Sequence, residues 1–223
     1  MDKQILFDLL KISLNAYSNV QSCRGCNKII YIQKVSDIEC YARIFDNTVI
    51  ISFRGTDSKQ DIINDLNVIK TQKFKDIGKN IYVHSGFYNA YSQVIDKIHI
   101  IIANNKQTNN IIFSGHSYGA ALCVLCAFSV YNTYNNVSVE VALFGCPRVG
   151  NRVFKKYYNN NLSNTYRVEN GNDFVTKLPF KFFGFCHVGQ KIKIGHIRLP
   201  FIYSYKSHSG DSYVKEYLKK INI

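Results

Sequence analysis

Asn110-Ile111-Ile112-Phe113-Ser114-Gly115-His116-Ser117-Tyr118-Gly119-Ala120-Ala121-Leu122 is the stretch on which the reading of this chain turns. Asn110 to Phe113 reads as a compact buried strand, and the run from about Tyr118 to Tyr131 reads as a helix. Between them, Gly115 to Gly119 fits G-x-S-x-G. A strand that reverses sharply into a helix sets the middle Ser on a strained turn, and the flanking glycines let strand and helix pass close together. Ser117 is therefore expected to stand as a nucleophile, with the next backbone N–H aimed at a developing oxyanion. A glycine-rich turn with an ordinary Ser is the competing reading, and the strand before and helix after argue against it.

Working outward, the N-terminal segment reads as an amphipathic helix in which Asp8 and Lys11 interrupt the apolar residues. Three β-rich runs follow at 28–34, 39–45 and 48–53, with Asp46-Asn47 as a tight hairpin turn between the last two. Residues 87–104 have helical spacing. Beyond the central motif come a strand at 137–144, a helix near 152–159, strands at 165–168 and 187–194, and a helix at 212–220. Strands alternating with helices predict an α/β fold: a mostly parallel central sheet, an antiparallel edge hairpin and helices on both faces. With 223 residues and no visible linker or repeat, residues 1–223 are expected to form a single domain.

Hydrophobic residues make up 46% of the chain, enough to build a core, which excludes intrinsic disorder. No apolar run approaches the ~18 residues of a membrane span. The N-terminus lacks the uninterrupted apolar region of a signal peptide. The 7 cysteines are an odd number, and Cys23-x-x-Cys26 has no second pair to complete a zinc site. Reduced thiols, an intracellular location and no metal are expected. Lys plus Arg is 28 against 15 Asp plus Glu, a net charge of +13. That charge serves solubility or attracts an anionic partner such as lipid head groups. Without a run of basic residues or a nucleic-acid signature, nucleic acid is not expected as a partner.

A nucleophilic Ser needs a base, and the base needs an orienting carboxylate. Downstream of Ser117 the carboxylates are Glu140, Glu169, Asp173, Asp211 and Glu216, and the histidines are His187, His196 and His208. Glu140 falls inside a strand pattern, Glu216 inside the last helix, and Asp211 suits a helix N-terminus. Asp173, in the loop after a strand, is the favoured acid, with Glu169 at the end of that strand as its rival. His208, in Lys206-Ser207-His208-Ser209-Gly210, is the favoured base because a loop can reach the turn. His187, at the head of a strand pattern, is its rival. His116 is expected to point away from catalysis, and His84, His99 and His196 to have structural or surface roles.

These motifs resemble the class 3 lipases, the fungal-lipase-like α/β-hydrolases. The resemblance runs from Leu14-Asn15-Ala16-Tyr17 to the terminal helix. It rests on Phe53-Arg54-Gly55-Thr56, Val83-His84-Ser85-Gly86-Phe87, Gly115 to Gly119, Gly145-Cys146-Pro147-Arg148-Val149-Gly150-Asn151, Asn172-Asp173-Phe174-Val175-Thr176-Lys177-Leu178-Pro179 and His187-Val188-Gly189, in that order. It implies Asp173 as the acid, His187 as structural and His208 as the base. It implies oxyanion donors at Thr56 and at the Tyr118 backbone N–H. It further implies a lid at 57–66, where Ile62, Ile63 and Leu66 share one helical face.

The implied activity is a cofactor-free lipase hydrolysing acyl esters of glycerolipids at a membrane or lipid-droplet surface. Phospholipase A1-type action, acyl transfer and a catalytically silent lipid-binding module are the alternatives. Tyr118 departs from the family pattern, and its ring is expected to narrow or redirect the acyl groove. The aromatic and basic stretch 177–206 is read as either a lipid-touching rim or strand-rich core.

Overall fold

The computed structural model describes residues 1–14, 25–35, 38–53, 70–74, 76–196 and 204–221. The alternation of apolar residues along the strands dictates two packed layers. In β3 (Thr48–Phe53), β6 (Asn110–His116) and β7 (Ser138–Phe144), the odd-numbered Ile51, Phe113, Val141 and Leu143 enter one core. The even-numbered Ile50, Ile112, Ala142 and Phe144 enter the other. Successive side chains of a strand point to opposite faces, so a sheet with apolar residues of both parities must be covered on both sides.

Seven strands join in the order β1-β2-β3-β6-β7-β8-β9, with β1 (Lys28–Val35), β2 (Ile38–Ile44), β8 (Thr165–Asn170) and β9 (Gln190–Ile194) completing the sheet. From β3 to β9 every pairing is parallel, whereas β1 and β2 pair antiparallel at one edge. The β2–β3 hairpin closes around Asp46-Asn47 with the Phe45 N–H on the Thr48 carbonyl. This is the α/β sheet expected from the alternating pattern, with its antiparallel edge. A separate two-stranded ribbon, β4 (Lys70–Gln72) with β5 (Tyr82–His84), lies outside it.

One face carries α1 (Lys3–Leu14) and α6 (Gly210–Ile221), whose Leu6, Leu10, Tyr213 and Tyr217 fill the smaller core. The other carries α2 (Ser85–Ser92), α3 (Ile95–Asn104), α4 (Tyr118–Thr133) and α5 (Arg152–Asn161). Nearly every side of α4 is buried, so this helix is apolar all round, as a helix enclosed by other elements must be.

Two of the boundaries that differ from expectation have a visible cause. The helical pattern at 87–104 is broken into α2 and α3 by tighter bonds, Gln93 N–H to Ala90 and Val94 N–H to Tyr91. Apolar spacing runs through the bend (Phe87, Tyr91, Val94, Ile98, Ile101), so periodicity alone shows no break. The strand expected from 187 begins only at Gln190, because His187 turns its ring back onto the Thr176 carbonyl at 2.8 Å.

Candidate active site

The site is built on the turn between β6 and α4. Ser117 has φ 59° and ψ −127°, a conformation that costs a non-glycine residue about 1–3 kcal/mol. The Ser117 N–H on the Phe144 carbonyl (2.9 Å) and the Ala120 N–H on the Ser117 carbonyl (3.1 Å) hold it there. The flanking glycines are required sterically. A Cβ on Gly115 would lie 2.7 Å from the Gly119 backbone, and one on Gly119 would lie 2.8 Å from the Phe53 carbonyl oxygen.

Ser117, His208 and Asp173 are brought together from three separate loops. The Ser117 hydroxyl lies 2.8 Å from His208 Nε2, and His208 Nδ1 lies 2.9 Å from Asp173 Oδ2. All three residues are buried. With Nδ1 protonated and donating to the carboxylate, Nε2 is left as the acceptor for the Ser hydroxyl. Asp173 follows β8 and accepts the Val175 N–H on Oδ1 at 2.9 Å and the Tyr213 hydroxyl on Oδ2 at 2.7 Å. The acid and base loops are tied directly, by the Ser204 N–H on the Asn172 carbonyl and the Asn170 side-chain amide on the Ser207 carbonyl, both 2.9 Å. Gly145, at φ +62°, closes the floor, and a Cβ there would stand 2.9 Å from the His208 ring.

Sequence reasoning missed two contributors. His116 does not point away: its ring stacks on His208 with centroids 4.7 Å apart, and its Nε2 lies 2.8 Å from the His208 carbonyl oxygen. Burial, and then the neighbouring His208, hold its imidazole down at about 3, so it is neutral. Strand parity contained the signal. Ile112 and Ser114 face α1, where the Ser114 hydroxyl donates to the Leu9 carbonyl at 2.9 Å, and His116 must follow them. The second is Tyr213 on α6, fully buried, whose hydroxyl also accepts the Asn170 N–H at 3.1 Å. No local pattern marks it.

The rivals are occupied elsewhere. Glu169 pairs with Arg167, Lys191 and Lys177. Burial alone would raise its carboxyl, but Arg167, with Lys191 and Lys177, holds it at about 2. His187 donates through Nε2 to the Thr176 carbonyl, and burial, then Arg167 and Arg148, hold it neutral at about 3. His84 is fully buried between Phe87 and Phe185, and His99 meets Tyr134 and Ser129.

Tyr118 opens α4, so its N–H lies in the first turn, where the helix supplies no acceptor of its own. Its ring is buried. It packs edge-on against Phe87 at 4.9 Å and donates its hydroxyl to the Gly86 carbonyl at 3.0 Å, inside the core. Thr56, Ile62, Ile63 and Leu66 lie outside the described residues. Among the described residues no group of His, Cys, Asp and Glu is arranged to hold a metal, and no helix is long and apolar enough to cross a membrane.

A strained Ser on a strand–turn–helix, followed in chain order by a carboxylate and by an imidazole that bridges the two, is the arrangement of the α/β-hydrolases. The family model "Lipase (class 3)" matches residues 50–183, which hold both the turn and the acid loop. The chain belongs to the class 3 lipase family. Among relatives of this chain, the lipase of Rhizopus niveus is 28% identical over 77% of this chain and 47% of its own length. A chloroplastic phospholipase A(1) of Arabidopsis thaliana is 30% identical over 67% of this chain and 37% of its own. The chain thus spans about half or less of these relatives' length. A fungal lipase–inhibitor complex superposes with a TM-score of 0.76 at 23% identity, over 93% of this chain and 94% of that one, which establishes the shared fold.

Proposed function

We propose that this chain is a serine carboxyl-ester hydrolase that cleaves acyl esters of glycerolipids. The observation that carries the proposal is the continuous hydrogen-bond chain from the Ser117 hydroxyl through His208 to Asp173, at 2.8 and 2.9 Å, on a strained turn. Ser117 attacks the ester carbonyl while His208 takes the hydroxyl proton on Nε2. Asp173 keeps the proton on Nδ1 and stabilises the imidazolium. The tetrahedral oxyanion rests on the Tyr118 N–H and, by the family pattern, on Thr56; loss of one such donor costs about 10²–10³ in turnover. His208 then protonates the departing alcohol. Water repeats the sequence on the acyl-enzyme and releases the fatty acid. No step calls for a cofactor.

Phospholipid is a second reading within the same chemistry. It is favoured by the net charge of +13 and by the phospholipase A(1) among the relatives. A reducing compartment suits the described cysteines, which are free thiols, four of them buried.

The test is labelling with a fluorophosphonate, which loses fluoride as Ser Oγ bonds phosphorus, followed by mapping of the adduct. We expect one adduct on Ser117, abolished in Ser117→Ala and His208→Ala and kept in His187→Ala. A folded protein that takes no label in water or on anionic vesicles defeats the hydrolase reading.

A further inference from the structure

Beside the acid loop the chain exposes a group of rings that the reaction does not use. Phe180, Phe182 and Phe183 are 39%, 78% and 42% exposed. They touch one another, Phe180 stacked on Phe182 at 5.6 Å and Phe182 tilted against Phe183 at 4.2 Å. Exposed aromatic residues clustered this way mark an interaction surface. The turn that presents them is tied down by hydrogen bonds. The Arg148 guanidinium donates to the Pro179 carbonyl at 2.9 Å, the Gly184 N–H returns to Lys181 at 2.8 Å, and the Cys186 N–H reaches Gly150 at 2.7 Å. The rings are thus held outward on a backbone anchored to the strap 148–150.

Charge says what meets them. Lys181 lies exposed within the ring cluster, and Lys70 reaches the same turn, its ammonium 5.1 Å from the Phe185 ring centroid. From Phe174 to Cys186 the chain contains Lys177 and Lys181 and no acidic residue. Aromatic rings that enter the head-group layer beside lysines that meet its phosphates are the chemistry of an anionic lipid surface. Position agrees. Phe174, next to Asp173, touches Phe180 at 6.3 Å on one side and Tyr205, in the base loop, at 5.1 Å on the other. The patch therefore lies one ring away from the loops that carry the acid and the base.

We infer that the Phe180–Phe183 turn, with Lys181 and Lys70, is an anchor that docks this protein on an anionic lipid bilayer beside its active site. The inference builds on the hydrolase reading, but binding is measurable without turnover. The probe is sedimentation with vesicles of phosphatidylcholine alone and of phosphatidylcholine with phosphatidylglycerol. Hydrolysis of a soluble short-chain ester by every variant reports the fold and the chemistry separately.

Phe182→Ser is expected to weaken partition onto anionic vesicles about tenfold, as removal of one inserted ring should. Lys181→Glu is expected to weaken it by about tenfold or more on anionic vesicles and hardly at all on neutral ones. Both should keep the soluble-ester rate. Wild-type protein that fails to bind anionic vesicles overturns the anchor, as does undiminished binding by both variants. A wild-type dimer that Phe182→Ser converts to monomer also overturns it, because the rings would then meet a second copy of the chain. A wild type that turns over no ester in solution or on vesicles, with vesicle binding intact, would defeat the hydrolase reading and leave the anchor standing.

Discussion

The neutral ring of His116 lies flat on that of His208, 27° from parallel, and its Nε2–H donates to the His208 carbonyl at 2.8 Å. One side chain thereby fixes both the plane of the proposed base and the backbone that carries it. Its neutrality matters as well. A proton on His116 would repel the charge that His208 acquires in the proposed reaction, and burial prevents this.

His116→Phe keeps the stack and removes the donor, leaving a buried carbonyl unpaired at a cost of about 1–3 kcal/mol. We expect kcat on a short-chain ester to fall about tenfold with little change in KM, since ring orientation enters only as the proton moves. An unchanged kcat in a stably folded His116→Phe protein would show that the contact only fills space.

Tyr213 is the second support. Tyr213→Phe removes the donor to Asp173 Oδ2 and the acceptor of the Asn170 N–H. Stability is expected to drop by about 1–3 kcal/mol in urea unfolding. Turnover should fall severalfold, because Asp173 then holds His208 with one fewer restraint. Stability and kcat both within error of wild type would refute this role.

Stability should depend on pH through two histidines. His116 and His187 are held at about 3 when folded and titrate near 6.5 when unfolded. Between those values the unfolded chain binds protons that the folded chain refuses. Stability is therefore complete above pH 6.5 and declines as pH falls toward 3, by up to about 1.4 kcal/mol per unit for each histidine. Glu169, held at about 2 against 4.5, contributes stability above pH 4.5 that is lost on further acidification. Urea midpoints that stay flat from pH 7.5 to 5 would contradict the histidine effect.

Gly119→Ala tests the turn itself. Its new Cβ would sit 2.8 Å from the Phe53 carbonyl oxygen and 2.9 Å from the Phe53 Cβ, and backbone cannot yield as a flexible side chain can. We expect at least about 1–3 kcal/mol of destabilisation and loss of fluorophosphonate labelling out of proportion to it, because the Ser is displaced. Normal labelling with a normal melting temperature would mean that β3 and α4 can separate at no cost.

Glu169→Gln separates the two candidate acids. It leaves the buried Arg167 guanidinium without its charge partner, and removing one member of such a pair costs about 3–5 kcal/mol. The soluble-ester rate per folded molecule should nevertheless stay near wild type, whereas Asp173→Asn should lower it by about 10⁴. The reverse outcome would make Glu169 the acid.

By itself the sequence determined what neighbouring residues decide. Gly115 and Gly119 bracket Ser117 because strand and helix must nearly touch there. The apolar residues of both parities in β3, β6 and β7 demanded a sheet covered on two sides. Periodicity and turn sterics act over a few residues, so they can be read along the chain.

Tertiary structure decided which distant groups meet. Ser117 and His208 stand 91 positions apart, and His208 and Asp173 stand 35 apart. Glu169 was diverted into an ion cluster by Arg167, two residues back on its own strand, together with Lys177 from the loop after β8 and Lys191 from β9. The Tyr118 ring turned inward because Phe87 and the Gly86 carbonyl lay within reach, and His116 met His208 because α6 follows the base loop onto the α1 face. Burial, charge pairing and ring contacts are properties of packed layers, and they exist only once the strands have taken their order.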